Sequence, residues 1–576
     1  MDEERASEHP AWPLRAVFLL ALGAATGLAI HFLLDGETEG QHVGEPLRMS
    51  LAVALGVAGL VFAFTVERLR WTWSVAGALA AGAVTGFVAY WNGSGDEWGS
   101  SETWQFASSV FAVAVAAPLL QSARDSGRFR FDYRSVHGHA WGNVVLWCAS
   151  WGFLAIVLLL LLLLGGLFDL IGLDLLRRLM DKPWFLWTIL GGALGAAIGL
   201  LRDRDKILLL LQRVVMAVLS VLAPILAFGL VFFLLALPFT GLAPLWNETK
   251  STTPILLTCI VGAIVLANAV IGNGPEEEAK ARPLRWSAMA LAGAILPLAI
   301  VAAVSTGLRI GQYGLTPERL WAAVFVGIAL VCALAYVAAL VIGRSGWAER
   351  VRRYNIVIAI GLCLLALVLA LPIVPFGALS VSSQVARLES GRVTPQRFDW
   401  PALRFEFGPA GVRALERLRD QSANADIRAR AAEALKAKNK WDLARPAEVE
   451  AREKAIGRLR ILPAPTPLPP ELAGAIKTRV YVGDKEERTL LYRPGADIAV
   501  LVNASTCDTC EPSTTTFYRK GVTWSDAPDP AMAPPTKQKE EIARMRAALT
   551  RGEVELREVK RRQLFIGGQP VGEVFE

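Results

Sequence analysis

Charge is what this sequence has least of. Asp, Glu, Lys and Arg make up 19% of its 576 residues, where a soluble globular chain carries about 25%. Hardly any of them falls inside the long apolar runs. Ionisable side chains within a membrane mark proton relays and ion paths because they are costly to bury in lipid. Their scarcity weighs against a proton- or sodium-coupled transporter, unless the carbonyls of a broken helix act as ligands. Signatures of catalysis are missing as well: there is no phosphate-cradling glycine loop, no nucleophile elbow and no zinc-protease motif.

Cysteine is sparse, six in all. Cys148, Cys259, Cys332 and Cys363 lie in apolar runs and read as inert small apolar residues. Cys507 and Cys510, in NASTCDTCEPST, are the other two. Glu511 stands where haem attachment needs histidine. A single pair cannot supply the four ligands of structural zinc, and the pair does not follow a strand and open a helix as a thioredoxin-like site does. A Cys507–Cys510 disulfide is expected if the tail lies on an oxidising side, with thiol–disulfide exchange as the alternative. His137 and His139, two apart in an expected inner loop, can bind a metal but read more simply as solvated. No metal and no cofactor is implied.

What the sequence has is apolar length. Hydrophobic residues make up 53% of the chain, concentrated in 14–375, and stretches of about 18 or more can span a hydrocarbon core of about 30 Å. They recur near 14–34, 49–66, 72–91, 104–121, 142–166, 184–201, 213–237, 253–273, 286–306, 320–342 and 355–374, about eleven helices. His31 and Arg213, near the ends of two of them, are placed to snorkel. Asn268 is the clearest polar group at depth and reads as a helix–helix hydrogen-bonding residue. The small-residue patterns 77–86 and 191–199 permit close backbone approach, and Pro224 and Pro297 can kink their helices. The segment 167–184 reads as an amphipathic stretch on the interface, or as a surface site built on Asp169 and Asp174.

Arginine and lysine concentrate in alternate loops, around 68–70, 124–134, 202–206, 280–285 and 344–353. The intervening loops are acidic or sparsely charged, as at Asp35, Glu37, Glu39 and Glu45. Basic loops stay on the cytoplasmic side, so the expectation is an N-terminus inside (1–13), a transmembrane domain (14–375) and a tail outside, periplasmic in a cell with two membranes. The net charge of +7 is then a topology signal, and nucleic-acid binding is a poor reading of it.

Between two spans stands IGQYGLTPERLW (310–321). Gly314 permits a tight turn. Thr316 is set to cap the next helix, with Pro317 and Glu318 in its first turn. Capping leaves Arg309, Tyr313 and Arg319 unexplained. Two readings stay open: local pairing of the arginines with Glu318 or a lipid phosphate, and a recognition patch of Arg309, Tyr313, Thr316, Glu318 and Arg319 for an anionic partner. This passage, with LLRDRDKILLLL (200–211), resembles a bacterial family of multi-pass inner-membrane proteins catalogued as a domain of unknown function, number forty-one fifty-three. The likeness covers most of 10–375. It implies a polytopic membrane protein and brings no activity or site residues.

Beyond Pro375 the sequence is polar. A helical segment is expected over 376–460, including a hairpin at 410–438 with Leu415, Leu418, Ile427, Ala431 and Leu435 buried and Asp426 as a cap. A proline-rich spacer follows at 461–472. A small β-rich module (473–576) has strands at RVYVG, RTLLYR and DIAVLVN and a terminal hairpin near Gly567. The fold class is thus an all-α polytopic membrane bundle with a C-terminal extracytoplasmic α+β domain. Its partners are the lipid bilayer and an envelope protein or lipid. Three functions fit: an anchored envelope sensor or partner-binding protein, a transporter of an apolar or amphipathic solute, and an enzyme acting on lipid-linked substrates.

Overall fold

The computed structural model describes residues 12, 14–34, 46–93, 98–241, 252–438, 440, 443, 456–463, 466–479, 487–504, 513–521, 523–526, 551, 562–566 and 569–575. The chain divides into two compact units, Met1–Val393 with Ala402–Lys436, and Thr394–Pro401 with Ala437–Glu576.

The first unit is helical: α1 (Arg15–Leu34), α2 (Pro46–Thr65), α3 (Trp71–Asn92), α4 (Ser100–Ser126), α5 (Tyr133–Leu170), the short α6 (Leu175–Met180), α7 (Pro183–Arg202), α8 (Asp205–Thr240), α9 (Thr252–Ile271), α10 (Arg282–Tyr313), α11 (Pro317–Gly343) and α12 (Trp347–Ala370). Among the described residues, ten segments are long and apolar enough to cross a membrane. The count falls below the expectation because the last segment, Pro317–Ala370, contains both α11 and α12, separated by the 3-10 turn Arg344–Gly346.

The loops gather at two ends. At one, Arg70 donates to the carbonyls of Arg124 (2.6 Å) and Asp125 (2.8 Å). Arg202 donates to Ala63 O at 2.9 Å, and Arg352 donates to Ile271 O at 2.5 Å and Gly272 O at 3.3 Å. The basic loops therefore share an end, as their alternation along the chain requires. At the other end Arg48 donates to Phe32 O (3.1 Å) and Asn92 to Glu102 O (3.0 Å).

Packing makes two groups of helices. In the first, α1 and α7 meet glycine to glycine: a Cβ on Gly23 would lie 2.1 Å from Gly191 O, and one on Gly195 2.0 Å from Leu19 O. The same device joins α3 to α2, where Gly82 and Gly86 face Ala54. Both small-residue patterns thus serve close packing. In the second group α10 is central, with Ala288, Leu291, Ala292, Ile295, Leu298, Ala299 and Ala302 fully buried against α8, α9 and α11. Pro224 and Pro297 lie within α8 and α10 without ending them. Helix α4 connects the groups, packing along α12 and stacking Trp104 on Trp321 of α11 with ring centroids 5.7 Å apart.

After the spans come α13 (Phe376–Glu389), α14 (Trp400–Phe405), α15 (Gly408–Gln421) and α16 (Ala425–Lys436). The last two form the expected hairpin. Leu415, Leu418, Ile427 and Ala431 are buried, while Ala434 takes the place expected of Leu435. Asp426 is not the cap. Its backbone N–H donates to Asn424 Oδ1 at 2.9 Å, so Asn424 closes the helix start and Asp426 sits in the first turn.

In the second unit β1 (Arg460–Leu462), β2 (Glu487–Leu491), β3 (Ile498–Ala504), β4 (Ser513–Lys520) and β5 (Thr523–Asp526) form one mixed sheet in that order, parallel only between β1 and β2. Alternation puts Leu490, Ala499, Leu501 and Phe517 on one face, covered by Leu472 and Ile476 of α17 (Pro470–Arg479). The proline-rich stretch thus begins in a strand and ends in the first turn of a helix. Residues 480–483 of the expected strand RVYVG lie outside the described residues, and Arg479 ends α17. The terminal hairpin is present as β6 (Arg562–Ile566) and β7 (Gln569–Phe575). Gly567, Cys507 and Cys510 lie outside the described residues.

Candidate functional site

The passage 310–321 is a clasp. Thr316 Oγ1 accepts from Arg319 N (3.4 Å), and Pro317 and Glu318 open α11, so the capping grammar holds. Gly314 ends α10 at φ +76°, ψ −178°, a region open almost only to glycine. The Arg319 guanidinium turns back to the carbonyls of Tyr313 (3.1 Å) and Gly314 (2.8 Å) and lies over the Tyr313 ring. Helix α13 closes the clasp. Gln384 donates to the Tyr313 and Leu315 carbonyls, Arg387 to Gln312 O, and Leu315 N donates to Ser383 Oγ. Tyr313, Thr316, Glu318 and Arg319 are therefore brought together, with Arg309 one turn earlier on α10. The carbonyls engage Arg319, which accounts for a residue that capping alone left over.

A second site lies at the basic end of the same unit, in a cavity of about 950 Å³. Two helix faces line it. Ser135, Gly138, His139, Gly142, Asn143 and Leu146 come from α5, and Leu209, Gln212, Arg213, Met216, Ala217 and Ser220 from α8. Each set runs i, i+3, i+4, i+7, i+8, i+11, one stripe of an α-helix. The α5 stripe ends on the apolar Leu146, while on α8 Gln212 and Arg213 lie between Leu209 and Met216 and the stripe ends on Ser220. Gly138 and Gly142 have nothing within 4 Å of where a Cβ would stand. A glycine costs a helix about 1 kcal/mol relative to alanine, and at these two positions no close packing requires it. What the two glycines supply is room.

Several charges are buried around this cavity, among them Arg124, Arg202 and Arg352 of the basic loops. Arg15, Glu67, Arg124, Arg202 and Arg352 are 6%, 8%, 4%, 9% and 3% exposed. Glu67 bridges Arg15 (2.6 Å) and Arg202, while Arg124 donates to Thr65 O and pairs with Asp125. Arg134 pairs with Glu276 across the mouth. Arg213 is the lining cation that makes no ion pair among the described residues. It is exposed, as expected of a side chain near the helix end, and it also lines the cavity. Gln212, 8% exposed, makes no hydrogen bond among the described residues. His31, also expected to snorkel, is buried.

The two histidines are on the first turns of α5, not in a loop, and point to different partners. His139 Nε2 is 2.8 Å from Asp125 Oδ2, and His137 Nε2 accepts from Trp141 Nε1 at 3.2 Å. Two residues apart on a helix they cannot share a metal, and the described residues hold no cluster of His, Cys, Asp and Glu suited to one. Asn268 does hydrogen-bond across helices. It donates to Tyr336 Oη (2.6 Å), Tyr336 donates to Asn355 Oδ1 (3.1 Å), and Asn355 donates back to Asn268 Oδ1 (2.7 Å). This closed ring ties α9, α11 and α12 together. Asp169 and Asp174 are occupied by Arg177 (2.6 Å) and Arg178 on the exposed segment around α6, so these carboxylates are not gathered into a site.

Among comparisons with known proteins, no curated protein and no solved structure matches the chain. A family does. Its match runs through residues 51–418, taking in the helices from α2 onward, the cavity, the clasp and most of α15. With more than half its length so matched, the chain belongs to the family described as a domain of unknown function (DUF4153).

Proposed function

We propose that the membrane unit binds, and passes between environments, an amphipathic solute held in the cavity between α5 and α8. The observation that carries this reading is the pair of facing stripes, each mixing polar and apolar side chains, with Gly138 and Gly142 opening space that no packing contact uses. A volume of about 950 Å³ falls within the range of small-molecule sites, roughly 300–1,000 Å³. Beyond the lining residues, α5 and α8 expose Trp151, Ile156, Leu159, Val221, Ile225 and Phe228. These surfaces suit lipid chains and give an apolar tail somewhere to go.

The test is Gly142→Leu. The new side chain enters open space and removes a helix-interior glycine, so the melting temperature of the purified protein is expected to hold or rise by a few degrees. Binding of a fluorescent amphiphile is expected to fall by about ten-fold or more, the loss of about 1.4 kcal/mol. A variant that melts normally and binds normally sinks the reading.

The second unit supports an additional role as a partner-binding domain, because it has its own sheet and core. Its side of the membrane follows from the arginine distribution, which assigns the basic end to the cytoplasm and the tail to the envelope. Alkaline phosphatase fused after Glu576 is expected to be active and a cytosolic reporter silent. The opposite pattern inverts the topology, and the Cys507–Cys510 disulfide falls with it.

A further inference from the structure

We infer that the clasp receives the phosphate of an anionic lipid, from the leaflet opposite the basic loops, between Arg309 of α10, Arg319 of α11 and Arg387 of α13; this stands independently of the cavity. The three arginines converge. The charges of Arg309 and Arg387 both act on the Arg319 guanidinium, and Arg387 Cδ lies 2.7 Å from where a Cβ on Gly314 would stand. All three are half-buried. Glu318 is the carboxylate whose charge reaches Arg319. It is exposed and forms no ion pair among the described residues, and the same holds for Glu389 at the end of α13.

Helix ends do not make up the difference. The C-termini of α10 and α13 each bring about half a negative charge, but the N-terminus of α11 brings about half a positive one, and Arg319 stands in its first turn. With Glu318 counted, about one and a half positive charges remain. The carbonyls of the clasp engage only Nη1 of Arg319 and Nη2 of Arg387. Arg387 Nε is buried and has no acceptor. The Nε–Nη2 edge of Arg319 donates to nothing among the described residues. That edge is the side of a guanidinium that grips a phosphate through two parallel N–H donors.

Depth in the bilayer agrees. Arg285 and Arg309 stand about 36 Å apart along α10 at 1.5 Å per residue. The apolar stretch between them just exceeds a hydrocarbon core of about 30 Å, so Arg309 falls at the level of lipid head groups. The clasp is at the end away from the basic loops, since Trp321, one turn into α11, stacks on Trp104 near the start of α4. Tyr313, 58% exposed and beneath the Arg319 guanidinium, is an aromatic of the kind that membrane interfaces favour. A zwitterionic lipid brings a cation along with its phosphate and relieves less of the excess charge, so the occupant is an anionic lipid.

The experiment titrates delipidated full-length protein in a neutral detergent with dioleoyl phosphatidylglycerol or dioleoyl phosphatidylcholine and reads the first lipid bound by native mass spectrometry. Wild type is expected to take the anionic lipid about ten-fold more tightly, equivalent to about 1.4 kcal/mol. Arg309→Gln is expected to cut that ratio to about three-fold or less, and Arg387→Gln to do the same. Arg128→Gln makes the same change of charge in a basic loop and is expected to leave the ratio as it is. A ratio of two lipids on one folded protein is not imitated by a general loss of stability. Equal affinity of wild type for the two lipids overturns the inference, and so does retention of the wild-type ratio by either clasp variant. An equal fall in Arg128→Gln overturns it too, because net charge would then be enough. Displacement of the bound lipid by millimolar inorganic phosphate overturns it in favour of a soluble oxyanion; a lipid that stays bound supports it.

Discussion

Replacing Gly195 with leucine is expected to abolish recovery of folded, monodisperse protein, and Gly195→Ala to lower its melting temperature markedly. The reason is backbone contact. A Cβ at position 195 would stand 2.0 Å from Leu19 O, and one at Gly191 2.2 Å from Gly23 O, where the obstructing atoms belong to main chain and cannot rotate away. Relief requires α1 and α7 to separate. That separation loosens a contact on which Leu19 and Ile198 depend for their burial. Overpacking a closely fitted core costs about 1–3 kcal/mol and occasionally more; a whole helix pair held apart lies at the upper end. The control is Gly142→Leu, a larger residue introduced on another span into open space. Fluorescence-detected size exclusion and thermal unfolding of the two variants side by side are the measurement. Comparable stability of Gly195→Leu and wild type would remove close helix contact as the organising feature of this group.

The contrast between these glycines shows what the sequence made legible and what it did not. Span positions were readable because the bilayer imposes a one-dimensional requirement, enough consecutive apolar residues to cross it. Each expected stretch falls on its own helix, even where α11 and α12 run nearly together. Small-residue packing at 191–199 was readable for the same reason: its partner need only be another helix. Gly138 and Gly142 carried no such signal. Their meaning depends on what faces them, and that is supplied by α8, some seventy residues later. The polar first turns of α5 lowered the local hydropathy, so His137 and His139 read as loop residues although the helix begins at Tyr133. The signal that was available is the stripe at 209, 212, 213, 216, 217 and 220. It was obscured because the rest of α8 is apolar all round. In the clasp, the cap at Thr316 and the turn at Gly314 were legible from local residue types alone. Arg319's turn back to carbonyls was not legible there, nor were the brackets from Ser383, Gln384 and Arg387 on a helix 68 to 75 residues away.

The basic loops carry the largest reinterpretation, and with it the second large effect. At the end where the basic loops gather, Arg15 and Arg202 are the two partners of one buried carboxylate. Glu67→Ala is expected to destabilise the protein by about 3–5 kcal/mol, since it removes the carboxylate shared by two buried guanidinium groups and leaves Arg15 the longer contact to Asp203 at 3.5 Å. The loss is electrostatic in origin, so it should not follow the size of the side chain. Glu67→Gln keeps the shape and one acceptor oxygen but removes the charge, and is expected to recover only a minor part. Removing the cations together with the anion is the decisive comparison. In Arg15→Met, Glu67→Leu, Arg202→Met no guanidinium is stranded and only the partly exposed Asp203 loses its contact with Arg15, and replacement of a buried ionic cluster by apolar residues is often near neutral. Here it is expected to cost more than that and less than Glu67→Ala. Arg15 and Arg202 also donate to the carbonyls of Arg202 (3.3 Å) and Ala63 (2.9 Å), and those acceptors would lose a partner. Urea or thermal unfolding of the four proteins in the same detergent gives the order wild type, triple variant, Glu67→Gln, Glu67→Ala. A Glu67→Ala variant as stable as wild type would mean that water already reaches these arginines, and the triad would then be a surface network at the mouth of the cavity rather than part of the bundle's core.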